Sequence, residues 1–273
     1  MNLIEAIILA IVEGITEFLP ISSTGHMIIA SSVMGIQSND YTKLFEVAIQ
    51  FGAILAVLVL YRKKFLAFKN YKFYIKLLVG VIPALVLGFL FSDSIDVMLE
   101  SPLVVAITML LGGFVLIVID KILNRPSIQE EAGITYRTAA IIGLWQTLAM
   151  IPGVSRSAAS ILGGMQQKLS RDLAAEFSFF LAVPTMAAAT LYSVLLKNWE
   201  IDGTATKGYE MILASSENTL AFIVGNLVAF IVAVLAIRFF IGYLQKHGFK
   251  WFGYYRIVAG LILLLLLYWD VLG

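Results

Sequence analysis

Polar and ionisable side chains stand inside two otherwise apolar stretches of this sequence. The first stretch contains Glu13, Glu17, Ser22, Ser23, Thr24 and His26, and the second contains Gln146, Ser155, Arg156, Ser157 and Ser160. An ionisable group among apolar residues is costly to bury unless it is paired or hydrated, so each one suggests a functional role. Two carboxylates, a histidine and an arginine together indicate one reactive centre more strongly than any of them alone.

These residue types suit the recognition and transfer of a phosphoryl group. Glu13 and Glu17 are four residues apart and therefore share one helical face, where two carboxylates can hold Mg²⁺ or Ca²⁺. Such a cation is expected because the carboxylates would otherwise repel a phosphate. Arg156 offers a planar fork that matches phosphate oxygens. Helices that begin near Ser22-Ser23 and at Ser155 would present free N–H groups to the same anion.

The sequence leaves the attacking group open. Ser23 can act as a nucleophile beside a base, whereas His26 can attack directly or activate a water molecule. Structural roles compete with these assignments: Ser22 and Ser157 could cap helices, Arg156 could serve only as an ion-pair partner of a glutamate, and His26 could be structural.

The composition is that of an integral membrane protein. Of the 273 residues, 60% are hydrophobic and 14% are charged, and the mean hydropathy is +0.92. A soluble domain typically has about a quarter of its residues charged. The net charge of +1 gives no indication of nucleic-acid binding, and the absence of cysteine excludes disulfides and thiolate metal sites.

The apolar pattern predicts an all-α polytopic protein with six transmembrane helices. We place them near residues 44–61, 74–92, 102–120, 173–196, 218–241 and 252–270, because a span needs roughly 20 apolar residues. Residues 3–34 and 138–165 differ, since each is interrupted by proline and polar residues, at Pro20 and at Pro152-Gly153. Irregular backbone survives at membrane depth only where protein or water surrounds it. We therefore predict two re-entrant helix hairpins, with two kinked full spans as the alternative.

The basic residues support this layout and imply an inverted-topology repeat. Each half, residues 1–125 and 133–273 of a single membrane domain, has one hairpin and three spans, so the second half should be upside down. Both hairpin tips then meet near the midplane. The layout puts 15 of the 19 basic residues on the cytoplasmic face. They are Arg62, Lys63, Lys64, Lys69, Lys72, Lys76, Lys121, Arg125, Arg137, Lys168, Arg171, Arg238, Lys246, Lys250 and Arg256.

Two motifs resemble those of the undecaprenyl-diphosphate phosphatase family, the bacitracin-resistance family of bacterial inner-membrane enzymes. One is Glu13-Gly14-Ile15-Thr16-Glu17, continued through Pro20 to His26, and the other runs from Pro152 to Ser160. Ser160 stands where the family usually has threonine, which also carries a hydroxyl. The resemblance extends over the whole chain and implies removal of the terminal phosphate from an isoprenoid diphosphate lipid, which yields undecaprenyl phosphate for cell-wall synthesis.

The resemblance also implies roles for individual residues. Glu17, Ser23, His26 and Arg156 become the expected catalytic residues, and Glu13 joins Glu17 as a ligand of a divalent cation. Substrate contacts are then expected from the remaining hydroxyls of both motifs, Ser22, Thr24, Ser155, Ser157 and Ser160. We expect the site to face the extracytoplasmic side, and either a monomer or a homodimer fits the sequence.

Two other classes of function compete. A lipid-phosphate flippase would also use an inverted repeat, an arginine and helix N-termini, but it would not need the glutamate pair, serine and histidine together. The phosphatidic-acid-phosphatase superfamily requires Ser-Arg-x5-His. In this sequence the histidine position that follows Ser155-Arg156 is Leu162, so that motif is incomplete.

Overall fold

The computed structural model describes residues 1–99, 101–123, 125–201 and 204–269. Within these ranges the chain is almost wholly helical, and the one sheet is an antiparallel hairpin of β1 (Asn198–Ile201) and β2 (Thr204–Lys207). The helices are α1 (Leu3–Thr16), α2 (Ser23–Val33), α3 (Asp40–Ala48), α4 (Gln50–Leu60), α5 (Arg62–Phe65), α6 (Tyr71–Leu90), α7 (Ser92–Leu99), α8 (Pro102–Ile122), α9 (Tyr136–Gln146), α10 (Arg156–Gln166), α11 (Arg171–Leu191), α12 (Gly208–Leu213), α13 (Ser216–His247) and α14 (Lys250–Tyr268).

The prediction of six membrane-spanning segments is confirmed. The described chain has six helical segments that are long and apolar enough to cross a bilayer: Asp40–Leu60, Tyr71–Leu90, Pro102–Ile122, Arg171–Leu196, Ser216–His247 and Lys250–Tyr268. The first contains both α3 and α4, which meet at Ile49. Residue 270, where the last span was predicted to end, lies outside the described residues.

Two pairs of shorter helices flank the predicted breaks. α1 has 14 residues, and α2, α9 and α10 have 11 each. At 1.5 Å per residue the longest is about 21 Å, which is less than the roughly 30 Å of a bilayer core. None of these four helices is therefore long enough to cross a bilayer. The side of the membrane from which each pair of helices enters stays a prediction.

Packing partners are exchanged between the two halves of the chain. α1 packs along α13, and its counterpart α9 packs along α6; likewise α4 contacts α13 and α11 contacts α6. The approach of α9 to α6 is close, because a Cβ at Gly143 would lie 2.1 Å from the carbonyl oxygen of Gly80. The first helix of each hairpin thus packs against a span of the other half. The inverted repeat and its bounds 1–125 and 133–273, which include residues outside the described ranges, stay predictions.

One expectation from the sequence is wrong. The predicted layout counts Arg256 among the cytoplasmic basic residues, but this residue is completely buried in the helix bundle. Position near the start of a span does not determine which way a side chain points.

The β1–β2 hairpin and α12 lie between α11 and α13. Buried Trp199 anchors the hairpin by donating its indole N–H to the carbonyl oxygen of Ser193 at 3.0 Å.

Candidate active site

The two helix breaks end in the same local structure. Ser22 caps α2 and Ser155 caps α10, and both have left-handed backbone angles, with φ of 72° and 76°. Each serine Oγ accepts a hydrogen bond of 3.3 Å from a backbone N–H three residues ahead, at Gly25 and at Ala158. Such φ values are uncommon in residues other than glycine and tend to occur at functional sites. The break in each hairpin therefore directs a helix N-terminus into the site.

A buried ion pair joins the two hairpins. Nη2 of Arg156 lies 2.9 Å from Oε1 of Glu17, and both side chains are nearly inaccessible. The other carboxylate oxygen of Glu17 accepts a 2.6 Å hydrogen bond from the hydroxyl of Ser23. Three of the four predicted catalytic residues are thus connected in one chain of contacts. The single proton of the Ser23 hydroxyl is directed at Glu17.

Ser178 on α11 supports the guanidinium and was missed in the sequence. Nη1 of Arg156 donates to the carbonyl oxygen of Ser178 at 3.0 Å and approaches its hydroxyl at 3.4 Å. Ser160 also reaches this hydroxyl, at 2.6 Å, and the ring of Phe18 lies 5.8 Å from the guanidinium carbon. In the sequence, only its position between phenylalanines distinguishes Ser178, and a single serine is common in membrane helices.

His26 faces α14 rather than Ser23. Its Nδ1 lies 2.7 Å from the carbonyl oxygen of Ser22, which can only accept, so Nδ1 carries the proton. In the neutral ring Nε2 then accepts a hydrogen bond from the hydroxyl of Tyr255, at 2.7 Å. The two rings also stack, with centroids 5.5 Å apart. Tyr255 is a second residue that the sequence did not reveal, since nothing in its spacing distinguishes it from interfacial tyrosines.

The remaining predicted hydroxyls hold the hairpins in place. Ser157 donates to the carbonyl oxygen of Leu19 in the first hairpin at 2.7 Å, and its Oγ lies 3.1 Å from that of Ser155. Ser160 donates to the backbone oxygen of Arg156 at 2.8 Å. Thr24 is half-buried in the first turn of α2. These contacts bring Glu17, Ser23 and the serines and arginine of the second motif to the meeting of the two hairpins, with Ser157 as a cross-link between them. His26 lies beside them against α14, and the catalytic and binding roles of all these residues stay predictions.

Three buried polar atoms of the residues singled out in the sequence have no hydrogen-bond partner within the described chain. They are Oε1 of Glu13, Oε1 of Gln146 and Nε of Arg156. Buried polar atoms are normally satisfied, so an acceptor and a donor left over in one site indicate a missing ligand. Glu13 is 1% exposed, and with Glu17 it supplies oxygen donors of the kind that hard cations prefer. No group of three or more acidic, histidine or cysteine side chains in the described residues could hold a metal ion, so further ligands would have to come from elsewhere.

Comparison with known proteins identifies relatives over nearly the whole chain. Residues 6–262 match the family model described as bacitracin resistance protein BacA. The undecaprenyl-diphosphatase of Flavobacterium psychrophilum is 58% identical over 266 residues, which cover 97% of this chain and 96% of the relative. That of Flavobacterium johnsoniae is 57% identical over 267 residues, with the same coverage. Undecaprenyl-diphosphatase 1 of Clostridioides difficile is 42% identical over 275 residues, again with 97% and 96% coverage.

Replacing Ser178 by alanine tests the support of the guanidinium. Ser178→Ala removes the hydroxyl shared by Arg156 and Ser160, at a cost of about 1 kcal/mol. We expect the melting temperature in detergent to fall by about 2–4 °C. Ser127→Ala, at an exposed position, should leave the melting temperature unchanged. Equal melting temperatures for Ser178→Ala and the unmodified protein would show that this hydroxyl is not part of the network.

Proposed function

The chain belongs to the family of bacitracin resistance protein BacA, and we propose that it hydrolyses undecaprenyl diphosphate to undecaprenyl phosphate and inorganic phosphate. The observation that carries this proposal is the contact between the Ser23 hydroxyl and Glu17, which is paired with Arg156. This arrangement combines a nucleophile, a base and a cation for phosphate at one point. The names of the relatives over nearly their full length support the same reaction.

In the first step Ser23 attacks the terminal phosphorus. Its Oγ forms the new P–O bond, its proton passes to Glu17, and the bond between the phosphorus and the bridging oxygen breaks. The leaving group is the lipid monophosphate. The 2.6 Å hydrogen bond from Ser23 to Glu17 already defines the path of the proton. Attack by Ser23 is favoured over attack by His26 because Oγ of Ser23 already has a base, Glu17, at hydrogen-bond distance, whereas His26 faces Tyr255 on α14.

Arg156 stabilises the charge that develops on the phosphoryl oxygens. In the resting site it is paired with Glu17. When Glu17 takes the proton of Ser23 its carboxyl becomes neutral, and the ion pair weakens. The positive charge of Arg156 then stabilises the negative charge that develops on the phosphoryl oxygens in the transition state. The N-termini of α2 and α10 add unbonded N–H groups for the same oxygens.

His26 serves the second step, in which water cleaves the phosphoserine. Its Nε2 has a lone pair in the neutral ring and lies at the half-buried edge of the site, against Tyr255. Movement of the tyrosine hydroxyl frees this nitrogen to take a proton from water. The water oxygen bonds to phosphorus, the bond from phosphorus to Ser23 Oγ breaks, and Glu17 returns the proton to Ser23. His26 then releases the proton it took to bulk water, which restores the neutral ring.

A divalent cation, Mg²⁺ or Ca²⁺, completes the site in this proposal. Glu13 would hold it through its buried oxygen without a partner, and Glu17, one turn away, would be the second ligand while its carboxylate is ionised, before it takes the proton of Ser23. Bound there, it would offset the repulsion between these carboxylates and the anionic substrate and polarise a phosphoryl oxygen.

The protein is a multi-pass membrane protein, and we assign its site to the extracytoplasmic side of the bacterial inner membrane. Support comes from the basic residues at one end of the bundle. Arg62, Lys63 and Lys64 lie in α5, which directly follows α4, and Lys246 lies in the last turn of α13. Positive charge of this density marks the cytoplasmic face. The first hairpin begins at the opposite face, and α2 leads from Ser23 back toward it.

Phosphate release from undecaprenyl diphosphate in detergent tests the proposed reaction. We expect kcat to fall by about 10³-fold or more in Ser23→Ala, because the nucleophile is lost. Ser32→Ala on the same helix should remain active, since that hydroxyl bonds to Gln37. Substrate labelled in its terminal phosphate should label the protein at Ser23. Normal release by Ser23→Ala would refute serine attack, and no release by the folded unmodified protein would refute the phosphatase.

The metal requirement is tested with EDTA and with a variant of Glu13. We expect EDTA to abolish phosphate release and Mg²⁺ or Ca²⁺ to restore it. Glu13→Gln should raise the metal concentration for half-maximal activity by about 10-fold or more, because one anionic ligand is lost. Glu5→Gln, about two turns nearer the N-terminus of the same helix α1, should leave that concentration unchanged. Full activity in EDTA would contradict the proposed cation.

A further inference from the structure

Arg256 on α14 is an unusual residue for the interior of a membrane protein. It is completely inaccessible to solvent. A guanidinium has five N–H donors, and in this residue each one meets a backbone carbonyl oxygen. The distances range from 2.7 Å to 3.3 Å, and the acceptors are Pro20, Thr108, Met109, Gly153 and Val154.

The five acceptors belong to three parts of the chain around the site: the two hairpin breaks and α8. Pro20 belongs to the break of the first hairpin, two residues before the cap Ser22. Gly153 and Val154 belong to the break of the second hairpin, directly before the cap Ser155. The other two acceptors lie on α8. One side chain thus holds the backbone on which both helix N-termini of the active site are built.

No carboxylate neutralises Arg256 in the described part of the chain. The ion pairs formed there by arginines are those of Arg156 with Glu17 and of Arg171 with Asp120. Burying an unpaired charge has a large desolvation free energy, and the carbonyl dipoles offset it only when the hydrogen-bond geometry is good. Three of the five carbonyl partners of this buried cation lie in the two breaks, so Arg256 is placed to fix the breaks against α8, and its charge remains available to attract an anion nearby.

We propose that Arg256 is a positioning residue for phosphoryl transfer, which holds the two hairpin breaks in register so that Ser23 and Arg156 face the same phosphorus. The inference rests on the proposed function. Lysine cannot replace it fully, because an ammonium has three donors and no planar fork. The residue acts through the backbone and does not itself touch the substrate.

Gly112 on α8 allows the position of Arg256 to be changed without removing it. A Cβ at Gly112 would lie 2.2 Å from Nη2 of Arg256 and 2.6 Å from its central carbon. Gly112→Ala must therefore shift the guanidinium away from at least some of its carbonyl partners. Gly242 on α13 has no atom within 4 Å of its own added Cβ, so Gly242→Ala is the matched control.

The experiment compares kcat per binding site in Arg256→Met, Arg256→Lys and Gly112→Ala. Sites are counted from the stoichiometry of binding of a non-hydrolysable bisphosphonate analogue of the isoprenoid diphosphate. We expect a loss of about 100-fold in Arg256→Met and about 10-fold in Gly112→Ala, since small misplacements of reacting groups are costly. Arg256→Lys should recover part of the loss. Arg238→Met, at an exposed position, and Gly242→Ala should stay within about 2-fold of the unmodified protein.

Counting sites separates positioning from stability. If the variants only lose folded protein, kcat per remaining site will equal that of the unmodified protein, and the inference is overturned. Gly112→Ala and Arg256→Lys keep the test decisive if Arg256→Met does not fold. Absence of phosphate release by the unmodified protein would overturn the proposed function and this inference with it. Normal release by that protein together with normal kcat per site in all three variants would overturn the inference alone.

Discussion

The contact between Glu17 and Arg156 is the constraint on which the site depends. The two charges come from different hairpins, separated by 139 residues of chain, yet lie 2.9 Å apart in a nearly inaccessible position. In a medium of low polarity, either charge alone would cost several kcal/mol. Each charge is therefore stabilised in this position by the other. Ser23 is held by the same carboxylate, so the interaction that joins the two hairpins also orients the proposed nucleophile.

The second requirement is that the broken backbone be satisfied inside the protein. Proline and the left-handed serines leave carbonyl groups without helical partners, and bilayer lipid offers no donors. The chain supplies them from side chains. Thr108 donates to the carbonyl oxygen of Pro152 at 2.5 Å, Ser157 donates to that of Leu19, and Arg256 donates to three others in the breaks. The irregular segments from which α2 and α10 begin are thus held in place.

The six spans and the two interrupted segments could be predicted because apolar length and proline act locally. The proximity of Glu17, Ser23 and Arg156 could also be predicted, since charged side chains in apolar segments must find partners. Ser178, Tyr255 and Arg256 could not, because each is a single polar residue on a span whose partner lies on a distant element. Arg256 shows the difficulty most clearly. Its place in the sequence puts it among the basic residues of the predicted cytoplasmic face, whereas its side chain is buried inside the helix bundle. The orientation of a side chain around a helix depends on packing that sequence periodicity does not determine in uniformly apolar segments.

The central claim is that both hairpins build one catalytic centre through Glu17 and Arg156. A double-mutant cycle in kcat/KM for phosphate release tests it most directly, with Glu17→Gln, Arg156→Gln and the double variant. Residues that act as one unit give losses that do not add, so the double variant should be no worse than the more damaged single variant. Losses that multiply would mean that the two residues act independently, and the account of a joint centre would be contradicted.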